Sequence, residues 1–426
     1  MRKTISLGFL LAFALPASAQ VLQRVSIRTP NAPQIAHQLQ SDGYDVLEGS
    51  IEKGSFQLVV SPESMTELMA LGFRPRVLET GRPFYEIEAE RMRDAEGASP
   101  DAPPAGYPDL ANVIAQMQTA AANFPSICQF VDLTATYGMP KTFGNRSLYA
   151  VKISDNVNVD EDEQAVLIVS AHHCRETVTP VTALHAMDQF TQLYGVDPMI
   201  TNLVDTHEIW IAPVWNPDGY NYVWVGNNLW RKNRHAFANG IGVDLNRNYD
   251  FGWSAPCRGS SNVSSETYRG PSPASEVETQ TMKVWSEDVR FSKVLDFHSF
   301  GRETLWEYGC DPHPLSNYLQ NEAISLSQAA GYGSKNRPPS ADGEHFEWQL
   351  NAYGAYSFLM EISTAFQPPF SSAQAEAAQV FPAIVQLINQ PVPISGHVTD
   401  ALTGLPVEAT ITTRGLNFQR SEVNRS

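Results

Sequence analysis

Cysteine, positive charge and long apolar runs are all scarce in this sequence, and each scarcity removes a class of protein. Four cysteines occur, Cys128, Cys174, Cys257 and Cys310, too few for a scaffold built on disulfides. Cys257 with Cys310 is the expected pair, and Cys174 is expected as a free thiol. Lysine and arginine number 29 against 46 aspartates and glutamates, for a formal charge of -17. So acidic a surface repels phosphate backbones and anionic lipid, so nucleic acid is not an expected partner. Beyond the first twenty residues no stretch approaches the roughly 20 consecutive apolar residues of a membrane span, and none is expected. Charged residues make up 18% and hydrophobic ones 42%, enough apolar side chain for a core and too much for extensive disorder.

What is present divides into segments of different texture. Arg2 and Lys3 precede an apolar run from Ile5 to Leu15, and Ala17-Ser18-Ala19 is a small-residue cleavage pattern. Residues 1–19 therefore read as an export signal, placing the mature chain outside the cell or in a periplasm. Within an expected N-terminal unit of residues 20–95, residues 21–92 contain a weak duplication. Strand-like Arg24 to Arg28 leads to a helical stretch from Ala32 to Gln40 and a short strand from Tyr44 to Leu47. The order recurs as Phe56 to Val60, Pro62 to Leu71, and Arg74 to Leu78. Two such halves suggest a small split β-α-β sandwich. Residues 96–106 hold three prolines within Ala98 to Gly106 and no periodicity, the composition of an exposed linker open to proteases. A folded unit, a cleavable linker and a larger domain form the arrangement of an inhibitory prosegment.

From residue 107 to 392 the pattern is that of an α/β domain. Leu110 to Asn123 and Val178 to Leu193 have helical spacing. Ser147 to Ile153 reads as a strand, and Ala165 to Ser170 is a continuous apolar run, as in a strand covered on both faces. His207 to Val214, Phe291 to Phe297 and Ala355 to Ile362 are further buried-strand candidates. Strands alternating with helices predict a mixed, mostly parallel twisted sheet flanked by helices, and ligand sites in such sheets gather at strand ends. Residues 393–426 change again, to short alternating strands broken by glycine and proline. They resemble the opening of a β-sandwich module but are too few to close one, and the sequence is expected to be a fragment at this end.

After the Ala165–Ser170 strand comes Ala171-His172-His173-Cys174-Arg175-Glu176. His173 and Glu176 are close enough for both side chains to reach one ion from a strand end entering a helix. Zinc accepts imidazole nitrogen and carboxylate oxygen, and a catalytic site needs a third protein ligand. His298, at the end of the Phe291–Phe297 strand, is well placed for it. Taken alone this spacing is weak evidence.

The segment Ala171–Glu176 resembles the metal-binding His-x-Arg-Glu segment of the zinc carboxypeptidases related to pancreatic carboxypeptidases A and B. Further segments match that family in order: Asn216-Pro217-Asp218-Gly219, Trp230 to Arg234, Gly242 to Asn248, Ser265 to Tyr268, Phe297 to Phe300, and Tyr356 to Ile362. The resemblance implies a secreted metallocarboxypeptidase that hydrolyses the C-terminal peptide bond of peptides or proteins. It implies one zinc ion held by His173, Glu176 and His298, with Asp244 accepting the other ring N–H of His173. Glu361 would be the general base acting on zinc-bound water, and Arg231 would stabilise the oxyanion. Asn246 and Arg247 would clamp the free C-terminal carboxylate, a task suited to the planar guanidinium fork. Arg175, Ser299 and Phe300 would line the adjoining subsite. The N-terminal unit would be an intramolecular inhibitor of a monomeric enzyme.

Two positions depart from the family pattern or leave it open. Counting back without gaps from Glu361 puts Pro339, beside Pro338, where the family carries a mobile tyrosine that closes over substrate. Its loss would weaken binding more than chemistry. The same count puts Phe346 where the family sets its side-chain preference, favouring an apolar C-terminal residue, and places Trp348 on a strand. Asp342, Glu344 and Glu347 lie close by, and a shift of a residue or two would put a carboxylate in the pocket and favour Lys or Arg. Alternatives with the same fold are a cell-wall peptidase cutting γ-glutamyl or diaminopimelate bonds, and a non-catalytic peptide-binding homologue.

Overall fold

A computed structural model describes residues 21–96, 106–391, 396–411, 415–416 and 422–423. The expected export signal and all but the ends of the expected linker lie outside the described residues. Among those described, no helix is long and apolar enough to cross a membrane.

The N-terminal unit is built from strands β1 (Gln23–Arg28), β2 (Asp45–Leu47), β3 (Ser55–Val60) and β4 (Arg76–Thr80), with helices α1 (Ala32–Ser41) and α2 (Pro62–Ala70). The strands form one antiparallel sheet in the order β2-β3-β1-β4. Alternate side chains Val25, Ile27, Phe56, Leu58 and Val60 point to one face, where Ala36, Leu39 and Leu68 of the two helices meet them, as period-two burial requires. Ser61 begins α2 by accepting a hydrogen bond from the Ser64 N–H at 3.2 Å, with Pro62 at the first helical position. A third helix, α3 (Phe84–Glu96), follows. Charges at Glu86, Glu88, Glu90, Arg91, Arg93 and Asp94 hide its pattern, so it does not stand out in the sequence. Phe84 nevertheless anchors it, buried edge-on against Tyr107 and Trp224.

The larger body carries eight strands: β5 (Cys128–Asp132), β6 (Tyr149–Ile153), β7 (Gln164–Ser170), β8 (His207–Ala212), β11 (Lys293–Ser299), β12 (Glu303–Leu305), β13 (Asn336–Arg337) and β14 (Tyr356–Ile362). Their order is β13-β12-β14-β11-β7-β8-β6-β5. The central four, β14, β11, β7 and β8, run parallel to one another, while β12, β6 and β5 are antiparallel to their inner neighbours. A two-residue-strand hairpin, β9 (Ala236–Phe237) with β10 (Gly240–Ile241), stands apart.

Burial on both faces explains why the central strands read as unbroken apolar runs. Along β7, Val166 and Ile168 enter one core and Ala165, Leu167 and Val169 the other. Helices α4 (Leu110–Asn123), α6 (Val178–Leu193), α8 (Pro217–Val225), α10 (Ser316–Ala329) and α12 (Phe370–Asn389) cover the first face. The short α5 (Leu133–Thr136), α9 (Val277–Val289) and α11 (His345–Tyr353) cover the second, where Trp210, Trp215, Trp285 and Trp348 pack. Helix α7 (Pro198–Val204) leads into β8.

Trp348 therefore lies on a helix, not the expected strand. The Glu347 side chain accepts from the Glu344 N–H at 3.1 Å to start α11, and Gly354, in the left-handed region at φ 69°, ends it. Asn216-Pro217-Asp218-Gly219 likewise starts α8, with Asn216 Oδ1 accepting from the Gly219 N–H. Cys257 and Cys310 form a disulfide, and Cys128 and Cys174 are free and buried. In the C-terminal tail, Thr410–Ile411 pairs antiparallel with Glu422–Val423.

Candidate metal centre and cleft

The carboxyl ends of β7, β11 and β14 meet at one point. β7 ends at Ser170, and Ala171, at φ 54°, turns the chain into His172 and His173, with Glu176 just ahead of α6. On the next strand His298 stands in register with Glu361 of β14, so both project from the same face at the same level. Three donor side chains converge there. His173 Nδ1 is 2.8 Å from Glu176 Oε1 and 3.0 Å from His298 Nδ1, and His298 Nδ1 is 3.2 Å from Glu176 Oε2. Zinc bonds of about 2.0–2.2 Å in tetrahedral geometry put ligand atoms roughly 3.3 Å apart. Two imidazole nitrogens and one carboxylate at this spacing, all buried, therefore fit a zinc ion.

The charges around Glu176 and His173 favour their metal-binding forms, whereas at His298 Asp296 and Glu176 outweigh burial and raise the imidazole pKa. Burial alone would raise the pKa of Glu176, but His173 and His298 pull it well below the usual carboxylate range. His173 Nε2 faces Asp244 Oδ1 at 3.1 Å, and Asp244 Oδ2 is bonded in turn by Arg231 Nε at 2.9 Å and Nη2 at 2.8 Å. Burial opposes the Asp244 charge, yet Arg231 and His173 hold its pKa far down. His173 itself is pushed down, first by burial and then by Arg231, which favours the neutral imidazole a metal needs.

The cleft above the cluster is lined by Arg175, Arg231, Asn246, Arg247, Ser299, Phe300 and Glu361, together with the three donors. Glu361 keeps one oxygen, Oε2, without a partner among the described residues. Burial, and then the neighbouring Glu176 charge, push its pKa up to about 8. Arg247 Nη1 donates to Glu344 Oε1 at 2.8 Å and to the Asn246 carbonyl at 2.6 Å. Asn246 Oδ1 accepts from the His345 N–H at 2.8 Å.

Of the residues expected from the sequence, Asp244 lies behind His173 and only Phe346 is out of place. Phe346 is fully buried, packed on Leu305 and Leu359, and does not line the cleft. The start of α11 is the reason: the Glu344–Glu347 cap points Phe346 at the sheet and leaves Glu344 on the cleft wall. Asp342 and Glu347 are engaged with the N–H groups of Gly309 and Cys310, whereas Glu344 Oε2 has no partner among the described residues. Ser340 and Ala341 line the cleft next to Pro339, and the tyrosine among the described lining residues is Tyr44.

Tyr44 belongs to the N-terminal unit, which sits across the cleft. Asp45 accepts from both terminal nitrogens of Arg175, at 2.8 Å from Nη2, and lies 3.8 Å from Arg231 Nη1. Glu48 meets Arg337 and Ser340. The Gly43 carbonyl accepts from Ser265 Oγ at 2.6 Å and Thr267 Oγ1 at 3.2 Å. Sequence reasoning did not single out Asp45 or Asp296, the latter fully buried beside the metal cluster, and named Glu344 only as one of three acids that a small shift would bring to the pocket. An aspartate within the apolar run of β11 was the signal available for Asp296, since a charge buried on a central strand must have partners.

Comparison with known proteins agrees with this geometry. The sequence pattern of the zinc carboxypeptidase family matches residues 113–383. Carboxypeptidase A2 of Mus musculus is 31% identical over 270 residues, 60% of this chain and 62% of that protein, so the chain spans less than two thirds of that relative's length. A zinc carboxypeptidase of Saccharothrix mutabilis subsp. capreolus is 27% identical over 393 residues, 84% of this chain and 87% of that one. Among solved structures, carboxypeptidase A from Helicoverpa armigera shares the fold with a TM-score of 0.69 at 23% identity, covering 86% of this chain and 96% of that one. Thrombin activatable fibrinolysis inhibitor does so at 0.67 and 22%, covering 87% and 98%. The fold, the donor cluster and the sequence match together place this chain in the zinc carboxypeptidase family.

Proposed function

We propose that the protein is a secreted metallocarboxypeptidase that removes the C-terminal residue of peptides, made with residues 20–95 as its own inhibitory prosegment. The observation that carries this reading is the buried donor set His173, Glu176 and His298 with the unpartnered carboxylate oxygen of Glu361 beside it, at the head of a cleft holding Arg247. A zinc ion held by those donors would polarise the scissile carbonyl and acidify a water molecule. Arg247, with the Asn246 amide, takes the terminal carboxylate of the substrate in a planar fork. Glu361 accepts a proton from the attacking water as its oxygen bonds the carbonyl carbon, then passes it to the leaving nitrogen as the C–N bond breaks. Arg231 offers Nη1, the nitrogen that faces Asp45 across 3.8 Å, to the oxygen that gains charge. Glu344, with its free oxygen on the cleft wall, suits a C-terminal Lys or Arg better than an apolar residue.

The prosegment role is supported by Asp45 and Glu48, which engage Arg175 and Arg337 across the cleft and would leave no room for a peptide. The test is release of C-terminal Lys, Arg, Phe or Leu from N-blocked peptides, before and after cutting within residues 97–105, with and without chelator. Glu361→Gln should lower kcat by about 10²- to 10⁴-fold, the range for a general base, with zinc content unchanged. Absence of single-residue release by the cut, zinc-loaded chain would overturn the proposal, and release of cell-wall peptide fragments instead would favour that alternative substrate.

A further inference from the structure

Beside the donor cluster, and outside the cleft lining, lies a second group of titratable side chains that the chemistry above does not use. Asp296, His172 and His345 are all fully buried. Asp296 stands two residues before His298 on β11, on the same face of the strand. Its Oδ1 lies 3.2 Å from His172 Nδ1 and 3.3 Å from His298 Nε2, and its Oδ2 lies 2.9 Å from His345 Nδ1. The three rings are layered, His172 over His345 at 4.9 Å and over His298 at 5.8 Å between centroids. A fully buried charge is tolerated only when hydrogen bonds satisfy it, and here three imidazoles converge on one carboxylate.

An ionised carboxylate can only accept, so each nitrogen facing Asp296 carries its proton. In a neutral imidazole the opposite nitrogen is then a lone pair. For His172 that nitrogen is Nε2, and the Tyr249 hydroxyl stands 3.1 Å away to donate to it. For His345 it is also Nε2, met by the Gln349 amide nitrogen at 3.1 Å. For His298 it is Nδ1, the atom that faces His173 and Glu176. The Asn246 amide nitrogen approaches His298 Nε2 to 3.5 Å, where it would favour the opposite tautomer, but that distance is at the outer limit of a hydrogen bond and Asp296 is nearer. One carboxylate thus sets three tautomers, two satisfied by protein donors and the third left open to a metal.

We propose that Asp296 is the positioning residue of His298: it fixes the proton on Nε2 and the lone pair on Nδ1, while His172 and His345 hold the carboxylate in place. Asp244 does the same for His173, but it shares its charge with Arg231, whereas the described partners of Asp296 are the three imidazoles. The Asn246 amide nitrogen is left for the substrate, its oxygen being held by the His345 N–H. This inference rests on His173, Glu176 and His298 being the metal ligands.

The test uses the full chain, freed of metal by dialysis against a chelator, with zinc affinity read by competition against a chromophoric chelator and geometry read from the visible absorption of the cobalt(II) form. Asp296→Asn presents one acceptor oxygen and a donor nitrogen to three N–H groups, so an imidazole must change tautomer or lose its bond. We expect zinc binding about 10- to 100-fold weaker and an altered cobalt spectrum. Wild type that binds zinc, beside an Asp296→Asn chain with the same affinity and spectrum, would overturn the inference whatever the variant's melting temperature. Wild type that binds no zinc would overturn the ligand assignment itself, and this inference with it. If the variant does not fold, the zinc-loaded wild type answers through imidazole ¹H–¹⁵N correlations. His298 protonated on Nε2, with His172 and His345 protonated on Nδ1, supports the assignment; His298 bound through Nε2 overturns it.

Discussion

The two histidines of the candidate metal centre are each backed by an aspartate, but the two halves are built for different circumstances. Behind His173 the order of groups is Asp244, Arg231, Asp45, a line of alternating charge that ends on the N-terminal unit. Behind His298 it is Asp296 with His172 and His345, closed off by Tyr249 and Gln349. Removal of the N-terminal unit would change the surroundings of the first half and not those of the second. A charge network open at one end can couple the metal centre to docking, and a sealed one can hold a ligand constant while that happens.

The largest expected effect breaks the open half at its outer end. Asp45→Ala leaves Arg175, which is 1% exposed, without its carboxylate, and an unpaired buried charge costs about 3–5 kcal/mol. The docked unit should be released to that extent, and the uncut full chain should hydrolyse peptides that the uncut wild type does not. An uncut Asp45→Ala chain that stays inactive while its cut form is active would show that the contacts of Gly43 and Glu48 suffice to hold the unit.

A smaller effect tests whether the halves differ as described. Asp45→Ala combined with Asp244→Asn should show a coupling in zinc affinity of about 0.5–3 kcal/mol, because the three groups share one network. Asp45→Ala combined with Asp296→Asn should be additive within about 0.5 kcal/mol. Equal coupling in the two cycles would remove the distinction between the halves.

The same contrast separates what could be read in the sequence from what could not. Ala165 to Ser170 announces itself as a doubly covered strand, because every residue after Gln164 is buried, and the ends of such strands drew attention to His173, Glu176 and His298. Those signals are local. Asp45 and Arg175 are separated by 130 positions, and no local pattern pairs an acid in a three-residue strand with an arginine so far along. Asp296 was visible as an acid in an apolar run, yet its partners His172 and His345 come from the turn after β7 and from α11 and become legible only when those elements meet. Phe346 failed for a geometric reason. Successive helical residues turn by about 100°, so taking α11 for a strand exchanges the residue on the cleft wall, Glu344, for one facing the sheet.

Acid should act on the open half first. Burial raises the pKa of Asp45, but Arg175 and Arg231 more than offset it, leaving the docked value below the ordinary one. A depressed carboxylate contributes to docking above its undocked pKa, about 3.9, and that contribution is lost as pH falls through the docked value. Docking, followed by hydrogen exchange of the β2 and β3 amides, should therefore hold from neutral pH down to about 4 and weaken below it, the Asp45 share by at most about 1.4 kcal/mol per pH unit. Asp45→Asn should weaken less steeply across the same window, since Glu48, which Arg337 also holds below its ordinary value, still contributes. A wild-type profile that falls between pH 7 and 5 would assign the dependence to another group.

The smallest expected effect lies on the cleft wall and tells a lining residue from a supporting one. Phe346 touches Leu305 and Leu359 and meets substrate only through them, so Phe346→Leu, which trims a buried ring, should cost about 0.5–3 kcal/mol of stability, as most destabilising substitutions do. It should leave the ratio of kcat/KM for C-terminal Lys over Leu unchanged. Glu344→Gln is the counterpart that should move that ratio toward Leu, since it removes the unpartnered carboxylate oxygen from the wall. Burial, with a smaller contribution from Glu48, puts the Glu344 pKa at about 7, so in the uncut chain, where Glu48 is docked, the carboxylate is fully charged only above that pH. A ratio that follows Phe346 and ignores Glu344 would mean that α11 turns its other face to the cleft once the N-terminal unit has gone.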